Sequence, residues 1–267
     1  MAKLPRSVKR AMNSERRGVV AFDFDGVIGD TAYECYVQTM KAWADVGGKT
    51  KPSAQVEKQF MQARPLITKR DHFFTVMRMI EENPRINFNN LTQGQMNAGF
   101  RADATKAKQF DEIYQRHREE MIKNDNARWN RLNRSFPKIA EFIKKVRRGN
   151  DIYIASTKTR GSILELLKRY KIDIPASRVL ASEDAKDKAQ MLKIISERSG
   201  KPLNRIMLVE DAIEQVKVAR GTGVKAVLYR RGYSTTAQKK EAKRMGVPIV
   251  DFTKKFDSRR VNRMVRN

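Results

Sequence analysis

Hydrophobic and polar positions divide this chain into three stretches. Near the start, the apolar run Val19-Val20-Ala21-Phe22 leads into Asp23-Phe24-Asp25-Gly26 and then a second apolar pair, Val27-Ile28. Four apolar residues rich in β-branched side chains, ended by a glycine turn, predict a buried parallel strand. From Thr31 to about Arg134 strand-like runs vanish. Tyr33, Tyr36, Val37, Met40 and Trp43 recur at helix-face intervals, and Gly47-Gly48 ends that helix. Further helices are expected at 53–63, 70–82, 101–125 and 126–134, with residues 83–94 a turn-rich loop around Pro84 and several asparagines. From Phe136 strands and helices alternate again. Helix 138–147 carries Ile139, Phe142, Ile143 and Val146 on one face, and Asp151 opens a strand, IYIA. A helix at 162–170, a strand at 178–180 and a helix from Lys188 through Met191, Leu192 and Ile195 follow. The strand IMLV ends at Glu210-Asp211, and the strands AVLY and PIVDF complete the alternation. The order predicts an α/β core of residues 18–30 and 136–267, an all-helical insertion at 31–135 and a basic tail at 1–17.

Composition narrows the chemistry. No run approaches 18 apolar residues, so no membrane span is expected. There is no secretory apolar segment, and one cysteine, Cys35, excludes an internal disulfide framework, which fits a reducing compartment such as the cytoplasm. Two histidines and one cysteine also exclude a His/Cys zinc cluster, so a metal site here must use oxygen ligands, which favour Mg or Mn. Among 267 residues the net charge is +26, and it is uneven. Met1 to Arg17 carries six Lys/Arg against one Glu, and residues 201–267 hold 17 basic and 6 acidic residues. Such a field attracts phosphorylated ligands and polyanions, nucleic acid among them, although a compositional bias keeping an enzyme soluble predicts the same numbers. The first 17 residues read as a solvated tail, a nucleic-acid-binding arm or an organelle-targeting segment. Tyr233, Phe252 and Phe256 interleave with the C-terminal charge, either as stacking residues or, the plainer reading, as core and edge-strand residues.

The polar interruption after the first strand is the chemical signal. Two carboxylates two residues apart point opposite ways while a strand lasts, so Asp23 and Asp25 converge only if the strand stops there, which Gly26 permits. Carboxylates flush against a buried apolar run are costly unless paired or bound to metal. An acid pair at a strand's carboxyl end suits metal-assisted phosphoryl transfer, with one nucleophile and one acid/base.

DFDGV after an apolar strand resembles the first motif of the haloacid dehalogenase superfamily. Ser156 at a strand end, Lys188, and Glu210-Asp211 after IMLV resemble its second, third and fourth motifs, the last in the Glu-Asp form of β-phosphoglucomutase-like members. With its helical insertion the chain resembles the capped phosphatases of this superfamily, including phosphoglycolate phosphatases, over about residues 18–252. The resemblance implies a Rossmann-like core with a helical cap that closes over the site and chooses the substrate. It implies Asp23 as the nucleophile that forms an aspartyl-phosphate, Asp25 as the acid/base, and Ser156 as a donor to a phosphoryl oxygen. Thr157 would add a backbone N–H, with Lys158 one step beyond and Gly26 at the turn. Lys188 would steady the phosphoryl charge, with Lys186 a competing choice because the Lys-Pro often found there is lacking. Asp211 and Glu210 would bind Mg beside Asp23 and Asp25. Many relatives carry a further acid where this chain has Gln215. Arg64, before the helix-breaking Pro65, is a candidate for a substrate anion, with an ordinary surface role equally open; His72 is left out of the site. The expected activity is Mg-dependent hydrolysis of a small anionic phosphomonoester, a metabolite or a nucleotide. A phosphomutase with the same residues and a basic RNA- or ribosome-binding protein on this fold are the alternatives. Oligomeric state is not readable.

Overall fold

The computed structural model describes residues 17–254 and 257–266. The tail expected at 1–17 therefore lies outside the described residues except for Arg17, as does Phe256. The chain forms two compact units, one of residues up to Ile28 together with Ser135 onward, the other Gly29–Arg134.

In chain order, β1 (Gly18–Phe22) is followed by the short β2 (Gly29–Asp30), then by helices α1 (Ala32–Asp45), α2 (Ala54–Ala63), α3 (His72–Glu82), α4 (Gln93–Ala102), α5 (Ala104–Asn124) and α6 (Asn126–Leu132). The short β3 (Arg134–Ser135), α7 (Ile139–Arg147), β4 (Asn150–Ala155), α8 (Arg160–Arg169), β5 (Val179–Leu180) and α9 (Lys188–Ser199) come next. β6 (Ile206–Glu210), α10 (Ile213–Gly221), β7 (Lys225–Tyr229), α11 (Thr236–Arg244), β8 (Ile249–Val250) and α12 (Asp257–Arg266) complete it. Among the described residues no helix is long and apolar enough to cross a membrane.

Six strands form one sheet in the order β5-β4-β1-β6-β7-β8, every neighbouring pair parallel. β1 is central because it is apolar on both faces: Val19, Val20, Ala21 and Phe22 are all fully buried. Its register sets Phe22 beside Ile154 of β4 and Val209 of β6, so these three strands end at the same level. Helices α9 and α10 cover one face of the sheet through Met191, Leu192, Ile195, Ile213 and Val216. Burying side chains of this kind stabilises the fold by roughly 1.5–3 kcal/mol each.

The helical unit has its own core, in which Trp43 packs on Phe74 and Phe60 on Phe73 with ring centroids 5.6 and 5.3 Å apart. Of the aromatics spaced along α1, Tyr36 and Trp43 are buried there, whereas Tyr33 stands at 45% exposure. Two local expectations are corrected. Helix α4 starts within the segment read as loop, because Thr92 and Gln95 form a reciprocal capping box. The helix expected over 101–125 is interrupted at Asp103, whose carboxylate accepts from Arg78 Nε at 2.9 Å and whose residue separates α4 from α5.

Candidate active site

The functional residues stand where strands stop. Beyond β1, Asp23 N–H still donates to Val209 O at 2.9 Å, and beyond β4, Ser156 N–H donates to Leu180 O at 3.0 Å. Side chains on these residues are therefore carried by the last rung of the ladder and inherit its rigidity. Carboxyl ends of adjacent parallel strands are where open α/β sheets bind ligands. Asp187 caps α9 by accepting from Gln190 N–H, which makes Lys188 the first residue of the helix. The Lys188 side chain is 3% exposed, and its ammonium donates to Asp23 Oδ1 at 2.8 Å and Ala155 O at 2.5 Å and lies 3.1 Å from Glu210 Oε2. Lys186 is exposed, with its backbone N–H on Gln190.

Charge at this point is unbalanced. Asp23, Glu210 and Asp211 bring carboxylate oxygens within 4.8 Å of one another. Among the described residues Lys188 pairs with two of them, Asp23 and Glu210, so three carboxylates and one ammonium meet here. Burial, reinforced by the Glu210 charge, raises the Asp23 carboxyl to about 7, although Lys188 pulls the other way. Burial likewise raises Glu210, opposed by Lys188. Burial works against the Lys188 ammonium, but Asp23 and Glu210 outweigh it and hold its pKa above the ordinary lysine value. A divalent cation fits this site on two grounds: hard oxygen donors converge there, and two positive charges would neutralise the excess. The Asp25 carboxylate stands outside this group and pairs instead with Lys158 at 3.3 Å. Lys158 is a fully buried lysine, and its backbone N–H reaches Ser156 Oγ at 3.4 Å.

Gly26 has φ +85°, and a Cβ there would lie 2.3 Å from Asp211 Oδ2. The turn thus needs glycine twice over, for its left-handed backbone and for the close approach of a carboxylate. Gly232 also lies against this residue, since a Cβ on it would meet the Asp211 Cβ at 2.2 Å and Gly26 O at 2.5 Å. The loop it belongs to holds Asp211 in place: Tyr233 N–H donates to Oδ2 at 2.6 Å, and the Ser234 hydroxyl donates to the Asp211 carbonyl. Sequence reasoning missed this loop. The glycine between Arg231 and Tyr233, directly after an apolar strand, was the available signal.

The remaining expectations separate. Thr157 is half-buried beside Ser156. Arg64 belongs to the helical unit, where it ends α2 and donates to Ile67 O at 3.4 Å. His72 stacks on Phe100 at 3.5 Å between ring centroids in the same unit. Phe252 is buried, stacked on Tyr229 at 3.8 Å, and is a core residue.

A family model described as haloacid dehalogenase-like hydrolase matches residues 20–229. No curated protein sequence matches the chain. Solved structures share its fold. A haloacid dehalogenase-like family hydrolase from Streptococcus pneumoniae is 14% identical, with a TM-score of 0.58 over 89% of this chain and 94% of its own. A predicted phosphoglycolate phosphatase from Haemophilus somnus is 15% identical, with a TM-score of 0.60 over 89% and 95%. A predicted phosphatase from Clostridium acetobutylicum is 12% identical, with a TM-score of 0.60 over 92% and 98%.

Proposed function

This chain belongs to the haloacid dehalogenase-like hydrolases, and we propose that within that family it is a Mg-dependent phosphomonoester hydrolase working through an aspartyl-phosphate. The observation that carries this reading is the Asp23–Lys188–Glu210–Asp211 cluster, with its surplus of negative charge, at the carboxyl ends of β1 and β6. Asp23 is the nucleophile. Lys188 holds its Oδ1, orients the carboxylate and offsets charge on the incoming phosphoryl group. The Ser156 hydroxyl and the Thr157 backbone N–H donate to phosphoryl oxygens. Asp25 protonates the leaving oxygen and then takes a proton from the attacking water, while Lys158 fixes its carboxylate. Asp23, Glu210 and Asp211, with Asp25 nearby, would hold Mg, which when bound supplies charge neutralisation for the transferred group.

The substrate class is a small anionic phosphate ester, a metabolite or a nucleotide, as the charge of +26 favours. Arg64 is the candidate in the helical unit for a second anion on that substrate. A phosphomutase would use the same residues and is distinguished by its product. The single buried Cys35 fits a reducing, cytoplasmic setting. The test is phosphate release from a panel of phosphomonoesters, with Mg and with EDTA, for the wild type and Asp23→Asn. Release that needs both Mg and Asp23 supports the assignment. Equal behaviour of the two proteins on every ester sinks it, and an isomerised sugar phosphate without free phosphate moves the assignment to a mutase.

A further inference from the structure

Helix α12 carries a cluster of exposed basic residues on the α/β unit. It starts beside the end of β8, and its later turns pack against the amino ends of β1 and β4. Val265 Cγ1 lies 2.0 Å from where a Cβ on Gly18, the first residue of β1, would stand. Asn150, the first residue of β4, donates from its side chain to Asn262 Oδ1 at 2.6 Å. Ser258, Val261 and Val265 are buried in this packing, at helical spacing. The helix therefore turns Arg259, Arg260 and Arg263 outward, and all three are exposed. Its neighbour α7 buries Ile139, Phe142, Ile143 and Val146 and exposes Lys144 and Lys145, with Arg148 exposed just beyond its end. Arg17 joins the same end of the unit, donating to Arg147 O at 3.0 Å and Asn150 O at 2.7 Å.

The acids on these two helices do little to cancel that charge. On α12, Asp257 is turned to the backbone, accepting from Asp251 N–H at 2.6 Å. On α7, Glu141 is shared between Lys138 and Lys145, each at 3.9 Å. Arg260 continues the positive surface into an open groove of about 480 Å³, where Arg230, Lys243 and Lys254 also line the wall. The groove's Asp251 is held by Arg231 at 3.1 Å.

We infer that this face, formed by α7 and α12 and extending into the groove, binds the phosphodiester backbone of nucleic acid. Three arguments select this partner. The basic residues of α12 are all arginine, whose planar fork matches phosphate oxygens in a bidentate way. Membrane binding by a surface helix needs apolar side chains free to insert, whereas the valines of α12 are committed to the core. Phe252, an aromatic near this face, is packed inside rather than offered for stacking. Recognition is thus of backbone charge, without sequence preference and steep in salt.

The test compares wild type with the triple variant Arg259→Gln/Arg260→Gln/Arg263→Gln and a charge-matched control, Lys51→Gln/Lys58→Gln/Lys108→Gln, three exposed lysines of the helical unit. Fluorescence anisotropy is read with a labelled 20-base-pair DNA duplex and a 20-nucleotide RNA between 50 and 200 mM salt. We expect the α12 variant to lose about tenfold or more in affinity, with its salt dependence reduced by two to three phosphate contacts. The control should stay within about threefold, and circular dichroism should show both variants folded, since all six side chains are exposed. Equal losses in the two variants would reduce the effect to net charge and overturn the assignment. So would binding to phosphatidylserine vesicles without binding to either nucleic acid, or no binding to any probe. Phosphatase activity is not needed for this readout, so the two proposals stand or fall separately.

Discussion

The helical unit and the α/β unit each bury opposite charges, and they do so on different terms. In the helical unit Arg118 grips Glu34 with both arms, Nε to Oε1 at 2.9 Å and Nη2 to Oε2 at 2.8 Å, and also donates to the Tyr114 hydroxyl. Both charged side chains are at most 3% exposed, and their charges cancel. Burial works against the arginine, yet Glu34 and Tyr114 outweigh it and hold its pKa well above the ordinary value. At the ends of β1 and β6, Asp23 and Glu210 share one lysine with Asp211 beside them, and burial together with the Glu210 charge pushes Asp23 toward neutrality. A closed pair of the first kind orders a core. An open cluster of the second kind costs stability and is retained where a cation or a reacting group completes it.

The two clusters differ most at Asp23. Asp23→Asn should lower phosphomonoester turnover by roughly 10⁴-fold or more, as loss of a nucleophile does. Stability should hold within about 1 kcal/mol or rise, because the cluster loses a repelling charge. A variant that unfolds while it loses activity would make the cluster structural. Next comes Arg118→Met, which leaves Glu34 buried without its cation. The expected loss is about 3–5 kcal/mol by denaturant unfolding, most of it recovered in Glu34→Leu/Arg118→Met. Failure of the double variant to recover would mean that the pair specifies the core rather than merely filling it.

His72 measures how the helical unit treats a titratable group. Burial lowers its pKa from 6.5 to about 4. The folded state therefore binds its proton more weakly than the unfolded state, so its contribution is complete above pH 6.5 and is lost as pH falls toward 4. His72→Phe should flatten the wild-type stability slope between pH 7 and pH 5 by about 2 kcal/mol. An unchanged slope would place the titration elsewhere. The smallest effect is that of metal. With Asp23 raised to about 7, the metal-free fold holds a proton that the unfolded chain releases near 4, so stability falls as pH rises between those values. Mg should remove that fall, release protons in weakly buffered solution at pH 6.5, and stabilise by about 1.4 kcal/mol at tenfold excess over its Kd. Asp23→Asn should release none.

Much of the candidate site was legible because its signals are local. An apolar run that stops at Asp23, Ser156 or Glu210-Asp211 announces both a strand and what its end carries. Lys188 was less clear beside Lys186, and the Asp187 cap, which starts the helix one residue later, is what separates the buried lysine from the exposed one. The capping box at Thr92 and Gln95 was equally local and was overlooked. The loop at Gly232 to Ser234 grips Asp211 from more than 20 residues away, and Glu34 meets Arg118 across 84, separations at which no periodic pattern survives.

The alternation of strands and helices, the interruption by a helical segment, and the residues that end the central strands are all readable from the chain's local pattern. These follow from backbone period and the burial of apolar runs, which neighbours along the chain decide. Tertiary packing sets Asp23 and Glu210 on one lysine with Asp211 beside them, pairs Lys158 with Asp25, and turns the arginines of α12 outward over its buried valines. Those outcomes depend on strand order, register and helix packing, which bring distant residues within a few ångströms and set the local charge balance that their chemistry requires.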